Sequence, residues 1–481
     1  MTSTALDNWT AVRRFSMADQ ISFARLSGDR NPIHLDELAA RRTEAGNVAV
    51  HGIHLVLWAL EALAPVIDHA SLAAIDCDFS SFVRPSEDVT LAVRRRRDSK
   101  LRLEASVGGH RNMVLTLTFG PAGPSAVIDD LPDIAIDDEP LSPSFDDMAT
   151  FAGWLRPSFT NTDVEAAFPL LCRALGAQRI AAIALLSSLV GMICPGLHSI
   201  FSGLSIKLLE RMDGKPGIGV RTKSVDQRFR LVRMTVAGSG IAGELSAFER
   251  FPPVDTSLAR VRSLVTQGEF ATRTALIVGG SRGLGAATAK LIAAGGGRVV
   301  LTYFRGAPEA EQIRAELIGA FGEPTCRAMQ MDAARPELSD IDRVKDEITH
   351  LYYFATPPIA RRGNRLFDRG IFDEFMEIYV KGFLDLVELL TADKKQSALT
   401  VFYPSSIFVD HRSKNMTEYA MAKAAAEVLL KDLAAARPGL AVMAPRLPRI
   451  LTDQTASVPP VPTEDAVETL LPLLRAQETA G

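Results

Sequence analysis

The sequence predicts two α+β units in tandem followed by an α/β doubly wound domain, on three observations. Residues 270–478 alternate apolar strands with helices, as a doubly wound parallel sheet requires. Inside that stretch an apolar strand, Ala275 to Val278, enters a loop carrying Gly279, Gly283 and Gly285, then a helix, then a second apolar strand from Arg298 to Tyr303. Such glycines let the backbone turn tightly and approach a pyrophosphate held at the next helix N-terminus. Upstream, one order of elements occurs twice: a long apolar helix, then several strands of alternating side chains.

Residues 1–120 form the first unit. Its helix, HGIHLVLWALEALAPVI, is apolar on nearly all sides, so a sheet should wrap it. The expected strands are AAIDCDFSSFV, DVTLAVRRRR, KLRLEASVG and NMVLTLTFG. Residues 121–145 are acidic and proline-containing and read as a linker. The second unit, 146–258, is expected to hold one long helix from Val164 to Ile193, followed by the strands HSIFSGLSIKLL, GIGVRTKSV, RFRLVRMTVAG and IAGELSAFERF. The doubly wound domain occupies 266–481.

Composition narrows the function classes. With 481 residues and 47% hydrophobic content, each domain can bury its own core. A net charge of −4 gives no reason to expect nucleic acid or an anionic membrane as partner. Cys77, Cys172, Cys194 and Cys326 show neither metal spacing nor a disulfide framework, so no metal is expected and a reducing cytoplasm fits. Asp7, Arg13, Arg14 and Asp19 argue against a signal peptide. The most apolar stretch, Ile180 to Cys194, is interrupted by Ser187 and Ser188 and is shorter than the roughly 20 residues a bilayer span needs. It reads as a buried helix.

The run FARLSGDRNPIHLDELAARR, followed by VAVHGIHLVLWALE, resembles MaoC-type (R)-specific enoyl-thioester hydratases, which have the hotdog fold. The resemblance covers roughly residues 13–120 and rests on Asp-x-Asn-Pro-x-His. It implies that Asp29 and His34 are the catalytic pair. Moving water on or off a 3-hydroxyacyl thioester requires a proton shifted at C2 and another at the departing hydroxyl, work that a carboxylate and an imidazole can share. Asn31-Pro32 breaks the chain between them and lets the two converge. The Gly52 amide, opening the apolar helix, is expected to polarise the thioester carbonyl. Many family members carry a serine six residues after the histidine of the His-Gly pair, and here that residue is Leu57. His54, on the same helix, is either a substitute polar group or a packed or solvated histidine. The second unit lacks the signature and resembles the degenerate half of a double-hotdog hydratase, completing the sheet and the acyl tunnel.

In the last domain the glycine loop, joined to Tyr419 and Lys423 in EYAMAKAAAEVL, resembles the short-chain dehydrogenase/reductase family, with its Rossmann domain. The resemblance implies Tyr419 as general acid, Lys423 as the residue that lowers the Tyr419 pKa and binds the nicotinamide ribose, and Ser406 as the substrate-orienting serine, with Ser405 as second choice. Asp332, expected to close the third strand in AMQMD, matches the adenine-contacting aspartate. The loop Gly279, Ser281, Arg282, Gly283, Leu284 and Gly285, with Tyr303 and Ala355, would line the cofactor. No acid occurs between Arg298 and Pro308, whereas Arg305 lies in that stretch and Arg282 in the glycine loop, which suits the 2′-phosphate of NADPH. NADPH is favoured; the alternative for either arginine is a solvated surface charge. Two family positions differ: Asn-Asn-Ala-Gly reads Tyr353-Phe354-Ala355-Thr356, and the catalytic asparagine reads Tyr379, with Lys381 nearby. The Pro-Gly after the sixth strand reads Pro445-Arg446. These changes lean towards polyketide-synthase ketoreductases.

Reduction of a 3-oxoacyl thioester yields the 3-hydroxyacyl thioester that such a hydratase dehydrates, and one chain raises the local concentration of that intermediate. The expected function is therefore NADPH-dependent 3-oxoacyl-thioester reduction coupled to (R)-3-hydroxyacyl-thioester dehydration, on acyl carrier protein or coenzyme A, by a homodimer or higher homo-oligomer. Two alternatives stand: a reductase whose hotdog pair only binds acyl chains or dimerises, and a dehydratase with an inactive reductase domain. The basic run Arg94 to Arg97 is either a carrier or coenzyme contact or a solvated edge, and alternation on a strand would let only half of it face one way.

Overall fold

The computed structural model describes residues 6, 8–43, 45–68, 71–97, 99–124, 131–210, 215–251, 255–359, 367–392, 398–411, 416–452, 455 and 461–477. The chain divides near residue 252 into two compact units.

The first unit is built on an eleven-stranded sheet in the order β1-β3-β4-β5-β2-β8-β11-β10-β9-β7-β6. In its first half are β1 (Thr10–Arg14), β2 (Leu72–Phe79), β3 (Asp88–Arg97), β4 (Lys100–Val107) and β5 (His110–Phe119). After β6 (Asp133–Ile134), the second half supplies β7 (Ala152–Leu155), β8 (Ser199–Leu208), β9 (Ile218–Asp226), β10 (Leu231–Gly238) and β11 (Ile241–Glu249). The order β1-β3-β4-β5-β2 is matched by β7-β9-β10-β11-β8, and antiparallel pairing of β2 with β8 joins the halves. Both halves are the hotdog arrangement, a helix wrapped by a curved antiparallel sheet. In the first the helix is Gly52–Leu63, with Ile53, Val56, Leu57, Ala59, Leu60 and Leu63 all at zero exposure. One hydrophobic core spans both halves.

The second helix departs from expectation. Instead of running unbroken from Val164 to Ile193 it is three pieces, Asn161–Ala167, Pro169–Leu175 and Ala177–Ser188, the last continued by a π-helical turn, Leu189–Ile193. The breaks fall where the chemistry demands them. Proline cannot donate to the preceding turn, and Gly176 adopts φ 86°, a region closed to most side chains. Among the described residues no single helix is long and apolar enough to cross a membrane, and the apolar pair Pro169–Leu175 and Ala177–Ile193 is bent by 115°.

Two other expectations change. The basic run lies on β3, but a bulge between Val93 and Arg95 breaks the alternation, and Arg94 to Arg97 are all exposed. The acidic stretch before residue 145 is no free tether: the Leu141 amide donates to the Met192 carbonyl at 2.8 Å, the Leu197 amide to the Leu141 carbonyl at 2.7 Å, and Asp138 pairs with Arg30. Strands β1 and β7, of five and four residues, were too short to show a period.

In the second unit six parallel strands are ordered β14-β13-β12-β15-β16-β18: β12 (Thr274–Val278), β13 (Arg298–Tyr303), β14 (Cys326–Gln330), β15 (His350–Tyr353), β16 (Leu399–Phe402) and β18 (Leu440–Met443). The short pair β17 (Ser405–Ser406) and β19 (Arg446–Leu447) lies beyond the ends of β16 and β18. The order reverses between β12 and β15, which is where doubly wound sheets open a crevice at the strand C-termini. Helices on the two faces give two separate apolar clusters.

Two candidate active sites

In the first unit Asp29 and His34 are brought together. Asn31 and Pro32 open a one-turn helix, Pro32–Leu35, with the Asn31 side chain capping the Ile33 amide at 3.2 Å, so His34 folds back over Asp29. His34 Nε2 lies 3.9 Å from Asp29 Oδ2. The Ala49 carbonyl, 2.8 Å from His34 Nδ1, accepts the proton there, so that Nε2 is the ring nitrogen turned towards the carboxylate. Asp29 is 1% exposed. Burial pushes its pKa up, opposed by His34, the Ser187 hydroxyl and the Asn31 amide.

His51 caps the wrapped helix and is fully buried, its ring stacked on His34 with centroids 3.8 Å apart. Gln20 Oε1 faces its Nδ1 at 3.0 Å and the Asp29 carbonyl its Nε2 at 3.2 Å. Burial first, and His34 second, hold the His51 pKa well below the usual imidazole range. Gly52 begins the helix, where amides have no intrahelical acceptor. A Cβ there would stand 3.0 Å from the Phe79 ring, so glycine is what lets that ring lie against the helix start. His54 is packed: it stacks on Phe23 at 4.5 Å and meets Phe15 edge-on, and burial takes its pKa down to about 3. Leu57 is at zero exposure in the core.

Ser187 joins the same site. Its hydroxyl donates to Asp29 Oδ2 at 2.7 Å from the second half's helix. The signal was present as a polar break in an apolar run, but nothing in the sequence said what it faced. Gly191 and Asn31 complete the junction, as the Asn31 side-chain amide donates to the Gly191 carbonyl at 2.7 Å.

In the second unit Ser406, Tyr419 and Lys423 converge beyond the ends of β16 and β18. The helix Thr417–Ala436 carries Tyr419 and Lys423 one turn apart on its buried face. Ser406 hydrogen-bonds the Tyr419 phenol, while Ser405 turns away to Glu427. The geometry thus selects Ser406 over Ser405.

The expected effect of Lys423 on Tyr419 is not what the site contains. Burial pushes the Tyr419 pKa up to about 12, with Ser406 opposing, and Lys423 plays no part in that balance. Its own Nζ donates to the Pro404 carbonyl at 2.7 Å and lies over the rings of Tyr379 and Tyr403, at 4.0 and 4.6 Å, but 6.0 Å from the Tyr419 ring. Burial brings the Lys423 pKa down to about 7. Tyr379 arrives there on a π-helical turn, Glu377–Gly382, with its hydroxyl bonded to Thr356. Lys381 points elsewhere, to Glu377 at 2.6 Å. Tyr353 and Tyr403 stack at 5.8 Å behind it, and Arg446 is tied to Glu427 and Asp410 at 2.6 and 2.5 Å.

The glycine loop has the expected form. Gly279 and Gly283 adopt φ 77° and 56°, and a Cβ on Gly285 would meet the Gly279 carbonyl at 2.3 Å. A Cβ on Gly279 would meet the Ala355 amide at 2.8 Å, so loop and β15 exit are in contact. Ser281 and Leu284 flank the start of the helix Gly283–Ala294, which Arg282 caps in extended conformation. Tyr303 ends β13, and the exposed Arg305 lies over the Phe304 ring at 5.2 Å. Asp332 stands two residues beyond β14 rather than closing it, and its carboxylate accepts from the Ala334 amide at 2.9 Å. Past the acid-free stretch comes Glu309, in the first turn of the helix Ala307–Phe321 and 2% exposed; a Cβ on Gly306 would lie 3.2 Å from its carboxylate and 3.0 Å from the Ser281 hydroxyl.

Residues 5–115 match the family model of the MaoC like domain, and residues 273–460 that of the short chain dehydrogenase. The chain joins a MaoC-like dehydratase domain to a short-chain dehydrogenase domain. A 3-hydroxybutyryl-CoA dehydratase of Methylorubrum extorquens is 45% identical over 42 residues, 9% of this chain and 27% of that protein, so the match spans about a quarter of the relative. Among solved structures, a short chain dehydrogenase from Shigella flexneri complexed with NADP is 18% identical, covering 44% of this chain and 93% of that one at a TM-score of 0.39. FolM alternative dihydrofolate reductase 1 from Brucella suis, in complex with NADP, is 20% identical over 36% of this chain and 72% of that one, at a TM-score of 0.34.

Proposed function

We propose that the chain reduces a 3-oxoacyl thioester with NADPH and dehydrates the resulting (R)-3-hydroxyacyl thioester. The single supporting observation is that each domain gathers its own reactive set: Asp29 with His34, and Ser406 with Tyr419 and Lys423. At the reductase site Ser406 and Tyr419 hold the substrate carbonyl, and Tyr419 gives its phenolic proton to the oxygen. NADPH supplies the hydride when bound, with the glycine loop taking its pyrophosphate and Lys423 its ribose. Arg282 and Arg305 are the cations offered to the 2′-phosphate. At the dehydration site His34 Nε2 and Asp29 Oδ2 lie 3.9 Å apart, so an oxygen beside the line that joins them can bond to both and leave as water. One of the two groups takes the C2 proton and the other protonates the leaving hydroxyl, while the Gly52 amide supports the enolate oxygen.

The acyl carrier is proposed on charge. Arg94 to Arg97 stand exposed together, and an acidic carrier protein or the phosphates of coenzyme A suit them. The neighbouring Glu104 neutralises part of the run, through Arg94 at 3.2 Å. A homo-oligomeric assembly remains part of the proposal.

A second reading, dehydratase with little reductase turnover, is favoured by the Tyr379 ring against Lys423. Mass spectrometry of a 3-oxoacyl thioester incubated with NADPH decides between them. A gain of two hydrogens followed by loss of water is the expected result. Failure to gain hydrogen, with crotonyl thioester still hydrated, would establish the second reading. Reduction without dehydration would leave the hotdog pair a binding module.

A further inference from the structure

We propose that Ser187, on the central helix of the second hotdog half, is a positioning residue that fixes the Asp29 carboxylate for dehydration. The inference rests on the reading of Asp29 and His34 as the dehydration pair and adds a working part from the half that carries no signature.

The geometry of the junction is specific. The Ser187 hydroxyl donates to Oδ2, the same oxygen that faces His34 Nε2, while the Asn31 amide donates to Oδ1 at 3.1 Å. Each carboxylate oxygen is therefore held from a different half, which sets the plane of the group. The backbone of the second half closes in behind: a Cβ on Gly191 would stand 2.4 Å from Oδ1, so the π-helical turn gives the carboxylate its seat only with glycine at that position. The Asn31 side chain ties the loop to the Gly191 and Gly196 carbonyls at 2.7 and 3.1 Å.

Ser188 supplies an internal control. It is as buried as Ser187 and sits next to it, but its hydroxyl donates to the Leu185 carbonyl of its own helix at 3.1 Å. A hydroxyl that satisfies its own helix is a common local solution. Ser187 instead spends its only proton on a carboxylate 158 residues away in sequence, and a hydrogen bond to a charged acceptor is the stronger kind.

Among the described residues, the titratable groups facing the carboxylate are His34 from its own segment and His51 from the cap of Gly52–Leu63. From Ala177–Ile193 it meets Ser187 and Gly191. The one charged side chain of that stretch, Arg179, is bonded to the Leu175, Leu209 and Gly240 carbonyls. Arg30 pairs with Asp138. Because the Ser187 bond favours ionised Asp29, its loss should raise the pKa at which the carboxylate deprotonates.

The test uses the full-length protein and crotonyl-CoA. Ser187→Ala should lower kcat for hydration about tenfold with KM within about twofold, and move the acid limb of the pH profile upward by roughly one unit. Ser187→Thr should restore both, and Ser188→Ala should change neither. Equal effects of Ser187→Ala and Ser188→Ala, or an unmoved acid limb, would overturn the proposal by reducing Ser187 to packing. A carboxyl ¹³C titration of Asp29, assigned by difference from Asp29→Asn, reads the same coupling without turnover. An upward shift in Ser187→Ala alone supports the proposal, and no shift refutes it. Wild-type protein that fails to hydrate crotonyl-CoA would instead sink the dehydratase reading.

Discussion

Around Asp29 the neighbours are a histidine, a serine and a backbone amide, each able to donate or accept a hydrogen bond, although the position where related hydratases carry serine is Leu57 in the core. Around Lys423 the neighbours are the rings of Tyr379 and Tyr403 and a single carbonyl, with the hydroxyl of Tyr379 turned to Thr356. Both sites lack a polar residue found in their families. In the hotdog unit, duplication brings a second central helix within reach of the first site, and Ser187 contacts the carboxylate from there. In the reductase domain the tyrosine occupies the vacated space with apolar surface and holds the lysine by its ring faces. The comparison teaches that a missing polar residue can be offset by a distant segment only where the topology offers one.

The largest expected effects test whether both sites are chemically alive. Tyr419→Phe removes the phenol bonded to Ser406 and should cut NADPH-dependent reduction by at least about 100-fold, with NADPH affinity, read by fluorescence, nearly intact. Reduction at near wild-type rate would break the assignment. At the other site Asp29→Asn nearly preserves shape while removing the negative base, and His34→Ala removes its partner. Each should cut release of enoyl thioester by about 100-fold, with NADPH consumption unchanged at saturating 3-oxoacyl substrate. Enoyl product at the wild-type rate from both variants would turn the hotdog pair into a binding module.

These sites were legible in the sequence to different depths. Asp29 and His34 sit within one short motif whose Asn31-Pro32 break is a local instruction, Gly52 opens the apolar helix after it, and Ser406, Tyr419 and Lys423 are placed by a strand end and a helical turn. Local chemistry of that kind survives in a linear reading. The alternating strands of the hotdog sheet and the glycine loop were legible for the same reason. Ser187 was not, because its partner lies across the duplicated sheet and only the fold brings them together. The helix around it was read as continuous because hydrophobicity is continuous there, while Pro169 and Gly176 decide the path. The tyrosines around Lys423 were each visible, but a ring contact leaves no period in sequence. Glu309 directly follows the acid-free stretch that ends at Pro308.

A smaller effect sharpens the cofactor end of the comparison. Arg305 is exposed and lies on the Phe304 ring, so Arg305→Asp should alter charge without unseating the strand. Replacing a cation by a carboxylate near a 2′-phosphate should shift the NADPH-to-NADH ratio of kcat/KM roughly tenfold towards NADH. An unchanged ratio would move selection to Arg282.

The smallest effects are thermodynamic, and they have opposite signs at the two sites. Burial raises the Asp29 pKa, so between the unfolded and folded values the folded state holds the extra proton and stability falls as pH rises. Above that window the ionised carboxylate is a standing cost. Asp29→Asn lacks it, so this variant should melt higher than wild type, with a gain that grows as pH is raised from about 4 and then levels off. Lys423 runs the other way. Its folded pKa of about 7 lies below the unfolded value, so between the two the unfolded chain holds the extra proton and stability rises with pH. Lys423→Met should therefore melt higher than wild type near pH 6, and the gain should shrink towards pH 10. The ring faces of Tyr379 and Tyr403 favour the ammonium and limit that gain to about 2 kcal/mol, a few degrees in the transition of the reductase unit. Calorimetry of the two variants across this range checks both signs. A Lys423→Met gain that grows with pH would mean the aromatic cage outweighs burial, leaving the lysine charged.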